Sequence, residues 1–192
     1  MSYNNKPCVV LGVSGSVAAY KACEVASKLT QAGASVRVIL TESASKLVTP
    51  VLFRAITGIP AVVSEWDADS EAPMLHIDLA HSADLFLISP ASAGTIGKLA
   101  NGLADDLLST TALVLDAKTP RAVAPAMNPN MWNAAPVKEN IKKIKSYGYE
   151  IIEPRAGWTA CGVPGLGRLA EPAEIIQFAL VKIGLAKNAK KK

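Results

Sequence analysis

Short, solid apolar runs alternate along the chain with stretches of helical periodicity. Residues 8–12 (CVVLG) form one such run, which ends in the turn Gly12-Val13-Ser14-Gly15-Ser16, and 17–31 continue with helical spacing to a stop at Gly33. The pattern predicts a strand, a tight turn and a helix. Residues 35–40 (SVRVIL) read as the next strand, 41–57 are helical in pattern, broken by Pro50 and closed by Gly58, and a short third strand is expected at 60–63. Residues 83–89 (ADLFLIS) predict a buried strand that opens into Pro90-Ala91-Ser92-Ala93-Gly94-Thr95, a helix through Leu99 and a second helix over 105–114. Beyond it the pattern predicts a strand at 121–124, a helix within 131–147, a strand at 149–152, a glycine-rich segment and an amphipathic helix at 171–183.

Strands that alternate with helices at this spacing pair in parallel, because each parallel neighbour needs a crossover, and strands covered on both faces read as unbroken apolar runs. The expected fold is α/β, a doubly wound three-layer sandwich with a mainly parallel sheet. In such sheets ligands bind beyond the carboxyl ends of the strands, where the strand order reverses. The unusual loops after Leu11, Leu40, Ser89 and Ala124 all fall at carboxyl ends, so one pocket is expected to collect them.

The chain has 192 residues, half of them hydrophobic, enough for one core. A single domain over 1–186 is expected, with a lysine-rich disordered tail at 187–192. Lys187, Lys190, Lys191 and Lys192 account for the whole formal net charge of +4, so the body is close to neutral and a nucleic-acid groove is not expected. The tail reads as a solvated, frayed end rather than an anchor for an anionic surface. No apolar stretch is long enough to cross a bilayer and the N-terminus lacks the pattern of a signal peptide, so a cytoplasmic location without membrane association is expected. Cys8, Cys23 and Cys161 make neither an even disulfide set nor a metal-binding spacing, which fits a reducing compartment and no metal site.

The first loop places glycines where backbone must approach a ligand, adds two hydroxyls and feeds a helix N-terminus, an arrangement suited to phosphate. It is not the Gly-x-Gly-x-x-Gly fingerprint, and the nearest acid past the second strand is Glu42. A turn that needs glycine only for its dihedral angles is the plain alternative. The small, hydroxyl-rich segment 89–95 leaves room for a flat ring. Pro125-Ala126-Met127-Asn128-Pro129-Asn130-Met131-Trp132 sets one amide in an apolar frame, suited to orienting a carboxylate, although an asparagine there also suits a helix cap. Residues 160–169, with three glycines and a proline around Cys161, read as a mobile flap.

The octapeptide matches the Pro-x-Met-Asn-x-x-Met-Trp signature of the homo-oligomeric flavin-containing cysteine decarboxylases. Ala160-Cys161-Gly162 and Gly165-Leu166-Gly167-Arg168 resemble the substrate clamp of the family's phosphopantothenoylcysteine branch. The opening 12–21, the segment His76-Ile77-Asp78-Leu79-Ala80 and the stretch 89–106 are also similar, so the resemblance covers roughly residues 6 to 180. It implies a Rossmann-like flavoprotein fold, FMN as cofactor, and decarboxylation of 4'-phosphopantothenoylcysteine to 4'-phosphopantetheine in coenzyme A biosynthesis. FMN oxidises the thiol-bearing carbon, loss of carbon dioxide gives an enethiol, and reduced flavin returns the electrons.

By that resemblance His76 is an acid/base group, Asn128 holds the substrate carboxylate and Cys161 supplies a proton to the enethiol. Gly12, Ser14, Gly15, Ser16, Thr41, Ser43, Ser89, Ala91, Ser92 and Thr95 are expected around the flavin, and Ala126, Met127, Asn128, Ala160 and Cys161 around the substrate. His81 is expected to be structural, Cys8 and Cys23 to lie in the core, and Trp132 to be a packing anchor. The family is built from trimers, so a homotrimer or a dodecamer is expected. Gly94 stands where many members have asparagine, which removes a contact to the flavin. Many bacterial members continue into a domain that joins cysteine to phosphopantothenate, so that ligase is expected as a separate protein or a removed domain. Other readings are a peptidyl-cysteine decarboxylase that stops at the enethiol, a flavin prenyltransferase without the Asn128 octapeptide, and a non-enzymatic flavin-binding regulatory subunit.

Overall fold

The computed structural model describes residues 6–67, 74–158, 160 and 162–186. β1 (Cys8–Val13) passes through one 3₁₀ turn (Val17–Tyr20) into α1 (Lys21–Gln31) and back into β2 (Ser35–Leu40). α2 (Glu42–Ser45), α3 (Pro50–Thr57) and α4 (Leu75–Ser82) precede β3 (Leu85–Ala91). α5 (Ala93–Asn101) and α6 (Leu107–Val114) lead to β4 (Arg121–Pro125), and α7 (Pro129–Asn133) and α8 (Ala135–Ser146) to β5 (Tyr149–Ile151). β6 (Arg155–Trp158) and β7 (Pro164–Arg168) pair antiparallel before α9 (Pro172–Lys182).

The main sheet has the order β2-β1-β3-β4-β5 with every pairing parallel, the doubly wound arrangement expected. After β2 the chain crosses back past β1 to add β3 on its other side, so strand order reverses between β1 and β3. Alternate residues of each strand feed opposite cores. Val9, Leu11 and Val13 pack with α1, α3 and α9, whereas Cys8 and Val10 pack with α4, α5, α6 and α8. β3 divides likewise, with Leu85 and Leu87 on the first face and Phe86 and Ile88 on the second. Burial on both faces explains why these strands carry no polar alternation.

Three expectations change. Residues 60–63 contribute a single bridge between Val62 and Ile39 rather than a strand. Leu75, Leu79 and Ala80 bury one face of α4, a helix too short for its periodicity to stand out. The segment read as a flap supplies β7, one strand of a two-stranded hairpin whose other strand, β6, precedes it; both were hidden because Gly157, Gly165 and Gly167 interrupt the side-chain alternation.

α6 is held at its start by charge. The Asp106 carboxylate accepts from Ser109 N at 2.8 Å, Ser109 Oγ at 2.8 Å and Lys98 Nζ at 2.7 Å. Burial opposes ionisation of Asp106, yet Lys98 and Ser109 outweigh it and hold the carboxyl below its ordinary value. A lowered folded value contributes stability that is present above the unfolded value, about pH 3.9, and lost as pH falls through the folded one. Asp106→Asn is expected to cost about 1 kcal/mol at pH 7, with the gap closing in acid, as pH falls through the folded value. Urea unfolding of both proteins at pH 7 and in acid checks this, and a gap that stays constant refutes the electrostatic account.

Candidate functional site

The loops leaving β1 and β3 meet at the reversal of strand order. Ser14 is fully buried there: its Oγ donates to the Pro90 carbonyl at 2.8 Å and accepts from Ser92 N at 2.7 Å, while Ser14 N donates to Pro90 O at 3.2 Å. Gly15 lets this loop approach the one after β2, since a Cβ on it would stand 2.5 Å from Ser43 Cβ. Thr41 Oγ1 accepts from Ala44 N and caps α2. Gly12 is a packing glycine, because a Cβ there would meet the buried Leu108 side chain at 2.4 Å. Ser92 Oγ caps α5 through Thr95 N and also pairs with Thr95 Oγ1.

A second junction forms after β4. Met127 N donates to Gly167 O at 2.9 Å, and a Cβ on Gly167, at φ +147°, would lie 2.4 Å from Met127 O. Two strand residues earlier, a Cβ on Gly165 would strike Pro129 at 2.6 Å. These glycines let β7 lie flat against the start of α7. Asn128 caps that helix, its Oδ1 accepting from Asn130 N at 2.8 Å. The cap assigns the amide oxygen to the helix and so identifies the nitrogen as its donor end.

Between the two junctions opens a cleft of about 650 Å³. Gly15, Ser16, Ser92 and Ala93 border it from the β1 and β3 loops, Ala126, Met127 and Asn128 from the β4 loop, and Ala160 and Gly167 from the hairpin. Of the residues expected around a flavin, Gly15, Ser16 and Ser92 reach the cleft lining. Gly12, Ser14, Ser89, Ala91 and Thr95 are buried behind it, and Thr41 and Ser43 stand beside the loop rather than in the lining. Cys161 lies outside the described residues. Tyr20, Lys21 and Trp158, which were not expected there, also line the cleft, as does Arg168 from the segment that resembles the substrate clamp. Lys21 and Arg168 are far apart in the chain, and only the tertiary fold brings them together.

His76 is not brought to this cleft. It lies on α4, where its Nδ1 meets the Glu65 carboxylate, and no residue of α4 is among the lining. His81 is exposed at the end of the same helix. Burial pushes the Cys8 and Cys23 thiols up, so both stay protonated and behave as packing groups. Trp132 is 4 % exposed beneath Lys138, whose Nζ lies 4.1 Å from the ring centroid, which matches its expected anchoring role. The described residues hold no cluster of three metal-ligating side chains, and no helix among them is long and apolar enough to cross a membrane.

The lining suits a planar heterocycle. Small residues and backbone dominate its β1 and β3 sides, and a Cβ on Gly94 would approach nothing closer than Ser92 Oγ at 3.9 Å, so that edge is open rather than collapsed. Ser89 Oγ, buried behind it, has no hydrogen-bond partner among the described residues.

Comparison with known proteins agrees with this geometry. A family model described as Flavoprotein matches residues 2–184. The coenzyme A biosynthesis bifunctional protein CoaBC of Bacillus subtilis (strain 168) is 47 % identical over 175 residues, covering 91 % of this chain and 43 % of that protein. The chain therefore spans less than half the length of that relative. Among solved structures, a PPC decarboxylase variant complexed with pantothenoylaminoethenethiol superposes with a TM-score of 0.82 at 34 % identity, covering 92 % of this chain and 98 % of that one. The FMN binding protein AtHal3 gives 0.81 at 33 %, covering 96 % and 100 %.

Gly167→Ala introduces a side chain at a left-handed φ and against Met127 O, at an expected cost of about 1–3 kcal/mol. Because the hairpin touches the rest through few contacts, the loss is expected as local detachment. Limited proteolysis should cut the variant within 155–168 while the five-stranded core stays intact; wild-type resistance at the hairpin would contradict the docking role of this glycine.

Proposed function

The chain belongs to the flavoprotein family, and from that premise we propose that it is an FMN-dependent decarboxylase of 4'-phosphopantothenoylcysteine, forming 4'-phosphopantetheine. The observation that carries this reading is Asn128 at the cleft. Its oxygen is committed to capping α7, and its donor end belongs to a lining free of carboxylates. A substrate carboxylate held by a neutral amide in an apolar setting is oriented without the strong attraction that would oppose its departure as carbon dioxide. FMN, when bound, would supply a reversible two-electron sink for the thiol-bearing carbon, with no net consumption of electrons.

The protein's own groups bind and orient. Gly15, Ser16 and Ser92 offer backbone and hydroxyl contacts to the cofactor, Met127 and the hairpin close the apolar walls, and Asn128 aligns the carboxylate. Cys161, between β6 and β7 in sequence, is assigned the proton that saturates the enethiol. That proton separates this reading from a peptidyl-cysteine decarboxylase, which ends at the enethiol. The relative's bifunctional name supports a functional link to the ligase that supplies the substrate.

His76 fits the scheme if it acts on a second copy. Within one chain it borders no part of the cleft, so a closed homo-oligomer, a trimer or a dodecamer, is the arrangement in which it would serve as acid/base group for a neighbour. Head-to-tail contacts of this kind close into rings.

Purified protein is expected to be yellow and, with 4'-phosphopantothenoylcysteine, to yield the decarboxylated saturated thiol by mass spectrometry. Asn128→Ala should abolish turnover, and Cys161→Ser should release the enethiol. A colourless protein that does not take up FMN would sink the proposal. His76→Ala and Asn128→Ala, each inactive alone, are expected to regain activity when co-expressed, because mixed rings contain sites with both groups intact. Absence of complementation in demonstrably mixed oligomers would place the working histidine within one chain and refute the shared site.

A further inference from the structure

Charge is distributed unevenly around the cleft. Among its described lining residues only Lys21 and Arg168 are charged, and both are basic. Lys21 opens α1 and Arg168 closes β7, yet the fold brings both to the carboxylate of Glu171, the residue that precedes α9. Lys21 Nζ lies 3.8 Å from Glu171 Oε2, and Arg168 pairs with the other oxygen, Oε1. One carboxylate thus faces two cations. The nearby Arg155 is engaged by Glu174, so that acid does not make up the difference. The Lys21 side chain is only 17 % exposed, and Arg168 Nε is buried without a hydrogen-bond partner among the described residues. A half-neutralised, partly desolvated basic pair on the wall of an apolar cleft is a binding site for an anion.

The chemistry of the proposed reaction selects the anion. The substrate carries a carboxylate that must leave as a neutral molecule and a phosphate monoester that is retained. Cations fixed on the carboxylate would stabilise the ground state more than the transition state and slow its loss. The phosphate keeps its charge throughout, near −2 at neutral pH, so attraction to it costs the chemical step nothing. The planar guanidinium of Arg168 matches phosphate oxygens two at a time, and the Lys21 ammonium adds a point charge. We propose that Lys21 and Arg168 form the subsite for the substrate's phosphate, with Glu171 holding both side chains in place until the phosphate competes for them. This assignment rests on the decarboxylase reading above for the identity of the ligand. The flavin phosphate is the other source of the same chemistry.

Calorimetry on the FMN-loaded protein tests it with 4'-phosphopantetheine and pantetheine, which differ by the phosphate alone. Wild type is expected to bind the phosphorylated ligand at least about tenfold more tightly, since hydrogen bonds to charged groups are worth that much or more. Lys21→Met and Arg168→Gln should each remove most of the difference and leave pantetheine binding in place. Glu171→Gln separates a binding role from a scaffold role: freed from their competitor, the two cations should hold the phosphorylated ligand several-fold more tightly, whereas a purely structural triad would lose affinity with all three substitutions. Equal affinity of wild type for both ligands overturns the subsite. So does a phosphate preference that survives Lys21→Met and Arg168→Gln, or loss of FMN from those variants on dilution, which would give the pair to the flavin phosphate. A phosphate preference without any turnover of 4'-phosphopantothenoylcysteine would retain the subsite and reject the decarboxylase reading instead.

Discussion

The side chain of Ser14 joins the loop that leaves β1 to the loop that leaves β3, and the shape of the cleft follows from that join. Its hydroxyl donates to Pro90 O and accepts from Ser92 N, out of reach of solvent. Such a bond is worth more than its net contribution in water, because breaking it leaves a buried donor and acceptor unsatisfied at about 1–3 kcal/mol each. The strand order makes it possible: β1 and β3 are neighbours at the reversal, so the loops at their carboxyl ends meet. Ser92 is fixed by the same bond and goes on to cap α5. A residue expected around the flavin thus joins the two loops that border the cleft.

Much of the fold was legible in the residues. The runs at 8–12 and 85–88 are solidly apolar because both faces of β1 and β3 are covered, a pattern typical of a parallel sheet. The carboxyl-end rule then gathered the loops after β1, β3 and β4 at one cleft, with the loop after β2 outside the lining. What escaped depended on distance in the chain. Gly12 and Gly15 look alike in sequence, yet one packs on Leu108 and the other on Ser43. Lys21 and Arg168 stand 147 positions apart and meet through a common acid. The hairpin was obscured because its glycines serve the surface they touch rather than the strand they interrupt.

Asn128 caps α7, and the cap orients its amide. A helix cap and a carboxylate ligand are two explanations of one amide, and the geometry of the cap is compatible with the second. Oδ1 on Asn130 N is the cap; that bond removes the freedom to flip and so determines which end of the amide is a donor. Preorganisation of this kind costs nothing at the moment of reaction, since the dipole is already oriented by the backbone it caps.

The two walls of the cleft differ in how firmly they are held. The β1 and β3 side is the end of a five-stranded sheet, with its backbone paired on both flanks and its side chains in two cores. The hairpin side has only one partner strand per strand, exposed residues such as Trp158 and Val163, and the contacts of Gly165 and Gly167 with the start of α7. A two-stranded ribbon is marginal by itself, so it opens at lower free energy than the sheet. A cofactor that must stay belongs against the firm wall and a substrate that must enter and leave belongs against the yielding one. Arg168 fits that division: it ends the hairpin where Leu169 and Ala170, both buried in the core beneath α1 and α9, begin to anchor the chain again. A phosphate held at that boundary would tie the mobile wall to the rigid one, so that binding the retained end of the substrate also steadies the wall around the end that reacts.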